Sequence, residues 1–210
     1  MRGSTIAAEL AAAYANTREV YELEAAGFDA HRPRVLFERR WLDKLLDRLV
    51  ARPRVLELGC GAGDPIAGYL LSRGCEYVGL DYSAPMLALA RARFPIADWR
   101  LGDMRDPAAL SERFDAVLSW DGFFHLSIGE QRALLDRLPA TLRPRGAVLL
   151  TIGDRAGELL GTVEGRAVYH ASLDPEEYRA RFLSLGFVDI EIALRDPSCD
   201  QHSVLLASLA

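Results

Sequence analysis

The chain has few of the residues that build covalently or metal-stapled scaffolds: three cysteines and four histidines among 210 residues. Cys60, Cys75 and Cys199 form no CxxC pair and leave one thiol over in any disulfide scheme, so neither a disulfide framework nor a zinc site is expected. Reduced, buried thiols in a cytoplasm are the simple account. Long apolar runs are missing as well. No segment approaches the ~18 apolar residues that a membrane-spanning helix needs. Arg2 and the alanine-rich stretch behind it imitate a secretory signal, but Glu9 interrupts its apolar region. Positive charge is in deficit, with 25 Lys+Arg against 30 Asp+Glu and a net charge of −5. Binding a nucleic-acid backbone requires clustered cations, so neither nucleic acid nor membrane is an expected partner.

What remains is ordinary globular material, half apolar and about a quarter charged. At a prior of roughly 150 residues per domain, one domain is expected. Residues 5–50 read as helical and end in an amphipathic stretch, with Leu36, Phe37, Trp41, Leu45, Leu46 and Leu49 at three- and four-residue spacing. From residue 54 onward short apolar runs alternate with helical stretches. Arg54–Leu58, Tyr77–Leu80, Asp98–Leu101, Phe114–Trp120 and Ala147–Ile152 read as strands, with helices near 64–73, 83–94 and 128–138 between them. That alternation implies βαβ crossovers and a doubly wound, mostly parallel α/β sheet. Asp64-Pro65, Ser127 with Glu130, and Asp174 with Glu177 read as helix starts, the last two as capping boxes. Phe187–Leu194 and Ser203–Leu209, separated by a turn-rich stretch, suggest a closing antiparallel pair.

The sharpest local signal is Glu57-Leu58-Gly59-Cys60-Gly61-Ala62-Gly63-Asp64, a strand entering a glycine-rich turn and a helix. Ligands of open α/β sheets bind at this carboxyl edge. A dinucleotide turn would read GxGxxG and hold a pyrophosphate at the helix N-terminus. Here the third glycine comes one residue early, and Glu57 and Asp64 flank the turn, where they would repel a pyrophosphate. The arrangement suits a cationic or zwitterionic ligand without phosphate. Asp81, at the tip of the second strand, can accept from a ribose diol, a role shared by both readings. After the third strand, Asp103 offers a carboxylate for an exocyclic amine and Met104 an apolar face for a purine. Met86 can cover the other face.

Taken in order, Glu57–Gly63, Asp81, Gly102-Asp103-Met104, Phe114-Asp115-Ala116-Val117 and Leu142-Arg143-Pro144-Arg145-Gly146 resemble the class I S-adenosylmethionine-dependent methyltransferases over about 55–155. Arg145 departs from the glycine usual in its turn. The resemblance implies a Rossmann-like fold of seven strands in the order 3-2-1-4-5-7-6, strand 7 antiparallel. It also implies S-adenosylmethionine as cofactor and S-adenosylhomocysteine as product. Gly59, Gly61 and Gly63, with Cys60 between them, would line the methionine part; Asp81 would hold the ribose, with Tyr82 beside it; Asp103 and Met104 would meet adenine; the Trp120 backbone would reach the methionine amino group. Glu57, Met86, Tyr14 and Trp41 complete the expected cofactor set.

Methyl transfer from a sulfonium is an in-line displacement, so the protein must align the reactants, exclude water and take up a proton where the acceptor carries one. Asp121 and His125, just beyond the fourth strand, are the expected catalytic side chains. Phe124, Tyr169 and His170 are the expected acceptor contacts. No Asn/Asp-Pro-Pro-Tyr/Phe sequence follows the fourth strand, which with the acidic charge favours a small-molecule acceptor over nucleic acid or protein. The expected organisation is a helical lid over 1–50, a cofactor-binding core over 51–155, and an acceptor-side segment with closing strands over 156–210. A cofactor-binding protein without catalysis and a nicotinamide-dependent dehydrogenase are the alternatives. Thermal stabilisation by S-adenosylhomocysteine or by a dinucleotide separates the dehydrogenase, and turnover separates the binding protein.

Overall fold

The computed structural model describes residues 2–106, 108 and 111–210, with the side chains of residues 2–4 left aside. Seven strands form one sheet: β1 (Arg54–Leu58), β2 (Glu76–Asp81), β3 (Asp98–Leu101), β4 (Phe114–Ser119), β5 (Leu142–Ile152), β8 (Phe187–Asp196) and β9 (His202–Leu209). Their order is β3-β2-β1-β4-β5-β9-β8, parallel except that β9 runs antiparallel to both β5 and β8. This is the expected topology, with two further strands inserted between β5 and the closing pair. Those strands, β6 (Gly157–Val163) and β7 (Arg166–Ser172), make a separate antiparallel hairpin. Its turn residues Glu164 and Gly165 both have positive φ (48° and 78°), the geometry of a two-residue hairpin loop. The sequence alone assigns this segment to the acceptor side without revealing the hairpin.

The alternation of the central strands divides two apolar layers. Leu56, Leu58, Val78, Leu80, Val117, Val148, Leu150 and Leu205 face one side, packed with α6 (Ile128–Leu135), α7 (Leu138–Thr141) and α8 (Pro175–Ser184). Val55, Tyr77, Ala116, Leu118, Leu149, Val204 and Leu206 face the other, packed with α3 (Arg39–Leu46), α4 (Ile66–Ser72) and α5 (Ala84–Arg93). Central parallel strands are covered on both faces, so their sequences read as apolar runs rather than alternations.

Of the three expected side-chain caps, one differs outright. Asp64 does not cap α4; its carboxylate takes the Arg34 guanidinium at 2.7 Å instead. Ser127 and Glu130 do form a capping box at α6. Asp174 caps α8, but Glu177 does not reach back, because Arg132 binds it through two hydrogen bonds of 2.7 and 3.0 Å. Arg145, inside β5 rather than in a turn before it, occupies the left-handed conformation (φ 64°) that a glycine would adopt more easily, where β5 shifts register against β4.

Two further helices, α1 (Arg2–Leu23) and α2 (Ala25–His31), lie over the carboxyl edge of the sheet. Ala13 and Val20 of α1 pack on Tyr169, Ala171, Val163 and Val168 of the hairpin. Thr17 accepts the Tyr169 N–H at 2.9 Å, and Arg93 of α5 grips Asp29 of α2 through bonds of 3.1 and 2.8 Å. Among the described residues, no helix is long and apolar enough to cross a membrane.

Candidate active site

A cleft of about 250 Å³ lies between α1–α2 and the carboxyl ends of β1, β2 and β4. The expected residues Tyr14, Gly59, Cys60, Gly61, Gly63, Asp81, Tyr82, Met86, Asp103, Met104, Trp120, Asp121 and His125 all line it. Trp41, Glu57, Phe124, Tyr169 and His170 do not.

The glycine turn is built for two different purposes. At Gly61 (φ 53°) a Cβ would point into open space, so nothing of the protein fills that side of the turn. At Gly63 (φ 78°) a Cβ would sit 2.5 Å from the Trp99 ring, so this glycine admits a tryptophan from β3 as well as bordering the cleft. Asp81 Oδ2 accepts the Gly61 N–H and Oδ1 the Ser83 N–H, each at 2.8 Å. Burial raises the Asp81 carboxyl, against the pull of the backbone N–H groups of Ser83, Gly61 and Tyr82. Each carboxylate oxygen carries more than one lone pair, so acceptor capacity toward a diol is retained.

Asp103 is already held. Arg105 binds both of its oxygens (2.9 and 2.5 Å) and spans to Glu130 at 3.2 Å and the Tyr14 hydroxyl at 3.3 Å. Burial works to raise the Asp103 carboxyl, but the Arg105 hydrogen bonds win and lower it. Tyr14 in turn donates to Glu130 at 2.5 Å.

At the far end of the cleft His125 is half-buried. Its Nδ1 lies 2.8 Å from the Tyr169 carbonyl, which can only accept, so Nδ1 carries the hydrogen and Nε2 the lone pair. The Tyr21 hydroxyl donates to that lone pair at 2.9 Å. Burial pulls His125 down to about 4, against the Tyr169 carbonyl bond, so the ring is neutral at physiological pH. Asp121, in a left-handed conformation (φ 54°), donates its N–H to Thr151 at 2.8 Å. Its carboxylate lies 3.1 Å from His202 and 4.0 Å from Arg32. It is therefore already engaged by cations on both sides.

The residues outside the cleft have clear reasons to be there. Trp41 is in the core beneath the sheet, 1% exposed, with its indole N–H donating to Asp196 at 2.9 Å. Its helix turns the apolar face inward, as amphipathic spacing requires. Glu57 of β1 is buried, and Tyr77 of the neighbouring β2 donates to it. Burial outweighs that bond and the Arg32 charge and pushes Glu57 up to about 8. Phe124 and His170 face each other with ring centroids 4.6 Å apart, and His170 is 4.9 Å from His125, just behind the cleft. Tyr169 is buried between Tyr14 and Glu158. Arg32, Arg18, Phe28 and Asp29 line the cleft without having been expected there. They sit on or just after helices whose docking no local pattern reveals.

The family model described as a methyltransferase domain matches residues 55–146, the stretch that builds the glycine turn, Asp81, Asp103 and His125. A malonyl-[acyl-carrier protein] O-methyltransferase of Enterobacter lignolyticus is 33% identical over 156 residues, 72% of this chain and 58% of that protein. A dTDP-3-amino-3,6-dideoxy-alpha-D-glucopyranose N,N-dimethyltransferase of Streptomyces fradiae is 39% identical over 98 residues, 46% of this chain and 38% of that protein. Over residues 55–146 the chain carries a methyltransferase domain, similar to the class I S-adenosylmethionine-dependent enzymes. It spans 58% and 60% of the lengths of the first two curated relatives it matches. Among solved methyltransferases, an S-adenosylmethionine-bound amino pentose enzyme from Micromonospora echinaspora superposes with a TM-score of 0.68 at 22% identity, covering 90% of this chain and 96% of that one. A Streptomyces caelestis methyltransferase gives 0.68 at 19% identity, covering 91% and 98%. These superpositions extend well beyond the 55–146 matched by the family model and establish the fold for nearly the whole chain.

Proposed function

We propose that this methyltransferase moves a methyl group from S-adenosylmethionine to a small-molecule acceptor, with His125 as the proton acceptor behind Tyr21. The observation that carries the reading is a Tyr21–His125 hydrogen bond lining the same cleft as the glycine turn and Asp81. In this reading residues 1–50 form the lid, 51–155 the donor core, and 156–210 the acceptor side and closing strands of one domain.

Gly59, Cys60, Gly61 and Gly63 would let the backbone approach the methionine part of the donor, and the Trp120 backbone would hold its ammonium group. Arg32, 4.0 Å from Asp121 across the cleft, is the cation for its carboxylate. Asp81 accepts from the ribose hydroxyls, with Tyr82 beside it. Met86 and Met104 cover the purine faces, and Asp103, steadied by Arg105, accepts from the exocyclic amine. Glu57 supports this site from behind the turn, and Tyr14 closes it from α1. When bound, S-adenosylmethionine supplies an electrophilic methyl on a sulfonium, which the acceptor displaces in line to leave S-adenosylhomocysteine.

The chain's own contribution is alignment, exclusion of water and proton uptake. As the acceptor gives up its proton to the Tyr21 oxygen, Tyr21 passes its own to His125 Nε2, and the Tyr169 carbonyl steadies the resulting imidazolium through Nδ1. Phe124, His170 and Tyr169 back this end and are the acceptor-side wall. Asp121, held between His202 and Arg32, acts on the donor rather than as a base.

Thermal unfolding with S-adenosylhomocysteine, NAD and NADP tests the donor assignment: the first stabilises and the dinucleotides do not. A screen of phenols, amines, thiols and carboxylates, read by S-adenosylhomocysteine release, tests the transfer. Stabilisation by a dinucleotide alone would remove the reading.

A further inference from the structure

His202 stands at the first position of β9, outside the residues matched by the family model, and its ring is fixed on every side. It stacks on Phe37, with centroids 5.4 Å apart and planes 24° apart, and leans on Trp120 at 5.4 Å and 34°. Nδ1 lies 2.9 Å from the Cys199 carbonyl, while Nε2 lies 3.1 and 3.4 Å from the two Asp121 oxygens. A carbonyl and a carboxylate can only accept, so both ring nitrogens carry hydrogen and the ring is an imidazolium. Asp121 follows Trp120 directly and lines the donor cleft, where the Arg32 guanidinium approaches the same carboxylate at 4.0 Å. One carboxylate thus stands between two cations, and the nearer one comes from the opposite side of the cleft wall.

We infer that His202 is a positioning residue for the donor: by fixing and neutralising Asp121 it leaves Nη1 of Arg32, whose Nη2 donates to Glu38 at 3.5 Å, to face the methionine carboxylate. The inference rests on the donor site proposed above and extends it to a strand that contributes no lining residue to the cleft. The other charged groups facing the ring are Glu38 at the start of α3 and Asp200 in the turn before β9; Asp154 and Arg195 share its outer cleft. Burial opposes charging of the ring, yet the Asp121 hydrogen bond and charge, with the Cys199 carbonyl, raise it to about 9. Without His202, Asp121 has Arg32 as its remaining close cation, and the guanidinium turns from the donor to the protein.

Calorimetric binding of S-adenosylhomocysteine by the full chain at pH 7.5 tests this in two backgrounds. His202→Gln keeps a hydrogen-bond donor without the charge and is expected to weaken binding at least tenfold. In an Asp121→Asn background, where there is no carboxylate to neutralise, the same substitution is expected to change affinity less than twofold. An equal loss in both backgrounds would make His202 a packing residue between Phe37 and Trp120, and no loss in either would overturn the proposal. Imidazole ¹H–¹⁵N spectra of the unsubstituted protein give a readout independent of variant folding: His202 is expected doubly protonated at pH 7.5, and a neutral ring there would overturn the proposal too. Failure of the unsubstituted protein to bind S-adenosylhomocysteine counts against the donor site itself, not against the role of His202 within it.

Discussion

The Tyr21 hydroxyl donates to Nε2 of His125 at 2.9 Å, and the other nitrogen of that ring is tied to the Tyr169 carbonyl at 2.8 Å. The bond joins α1 to the turn after β4, so closing the helix over the cleft also completes the hydrogen bonding of the imidazole. Burial and the Asp121 charge raise the Tyr21 hydroxyl above its ordinary value, which keeps it protonated and donating. In the proposed reading proton uptake runs through this pair, with the tyrosine and the histidine both on the cleft wall.

His125→Ala is expected to lower the saturated rate by roughly 10²–10⁴ while leaving S-adenosylhomocysteine affinity nearly unchanged. Tyr21→Phe breaks the same chain one step earlier and should lower the rate in the same direction. Because His125 titrates at about 4, the rate should show no inflection from this group between pH 6 and 8. An unperturbed histidine would give one near 6.5. Rate profiles of both variants check this; a saturated rate preserved in His125→Ala would reduce the histidine to a structural contact.

Asp81 serves two masters, the turn through Gly61 and Ser83 and the proposed ribose. Asp81→Ala should cost about 1.5–3 kcal/mol of S-adenosylhomocysteine binding through unpaired hydroxyls. Asp81→Asn, which keeps one carbonyl oxygen, should cost less. Calorimetric affinities within twofold of the unsubstituted protein for both variants would locate the ribose contact elsewhere.

Phe124 and His170 lie behind His125 and outside the donor cleft, so their substitution should separate acceptor from donor. Phe124→Ala is expected to raise the acceptor KM at least tenfold without altering S-adenosylhomocysteine affinity. A change in donor affinity alone would place the ring on the donor side.

The sheet was legible because its signals are local: apolar runs for buried strands, a glycine turn, acids at strand tips. The same reasoning found thirteen of the residues now seen to line the cleft. It failed where a side chain's surroundings come from distant chain. Trp41 carries an aromatic ring that suits either a cofactor or a core, and only the docking of α3 against Asp196 decides between them. Arg32 lies between elements with no pattern of its own, and His202 gains its charge from Asp121, 81 residues away in sequence. The β6–β7 hairpin was missed although Glu164-Gly165 is a turn signal, because Leu159 and Leu160 of β6 break the alternation of buried and exposed positions that marks a half-buried strand.

His125 and Glu57 shift stability with pH in opposite directions. His125 titrates at about 4 in the folded protein and near 6.5 when unfolded, so between those values the unfolded chain binds more protons. Its contribution is present above pH 6.5 and is lost as pH falls, by about 3 kcal/mol at pH 4. Glu57 is the reverse: its folded value of about 8 stands above the ordinary 4.5, so the folded protein holds the extra proton. That contribution is complete below pH 4.5 and declines as pH rises, by about 4 kcal/mol at pH 8. Glu57→Gln keeps an oxygen for the Tyr77 hydroxyl and carries no ionisable proton, so its stability should lack this decline. Urea unfolding at pH 6 and pH 8 measures it: the advantage of Glu57→Gln over the unsubstituted protein should be larger at pH 8. An equal difference at both pH values would mean that Glu57 ionises in the folded protein as freely as in the unfolded chain, and that Tyr77 and Arg32 compensate its burial fully.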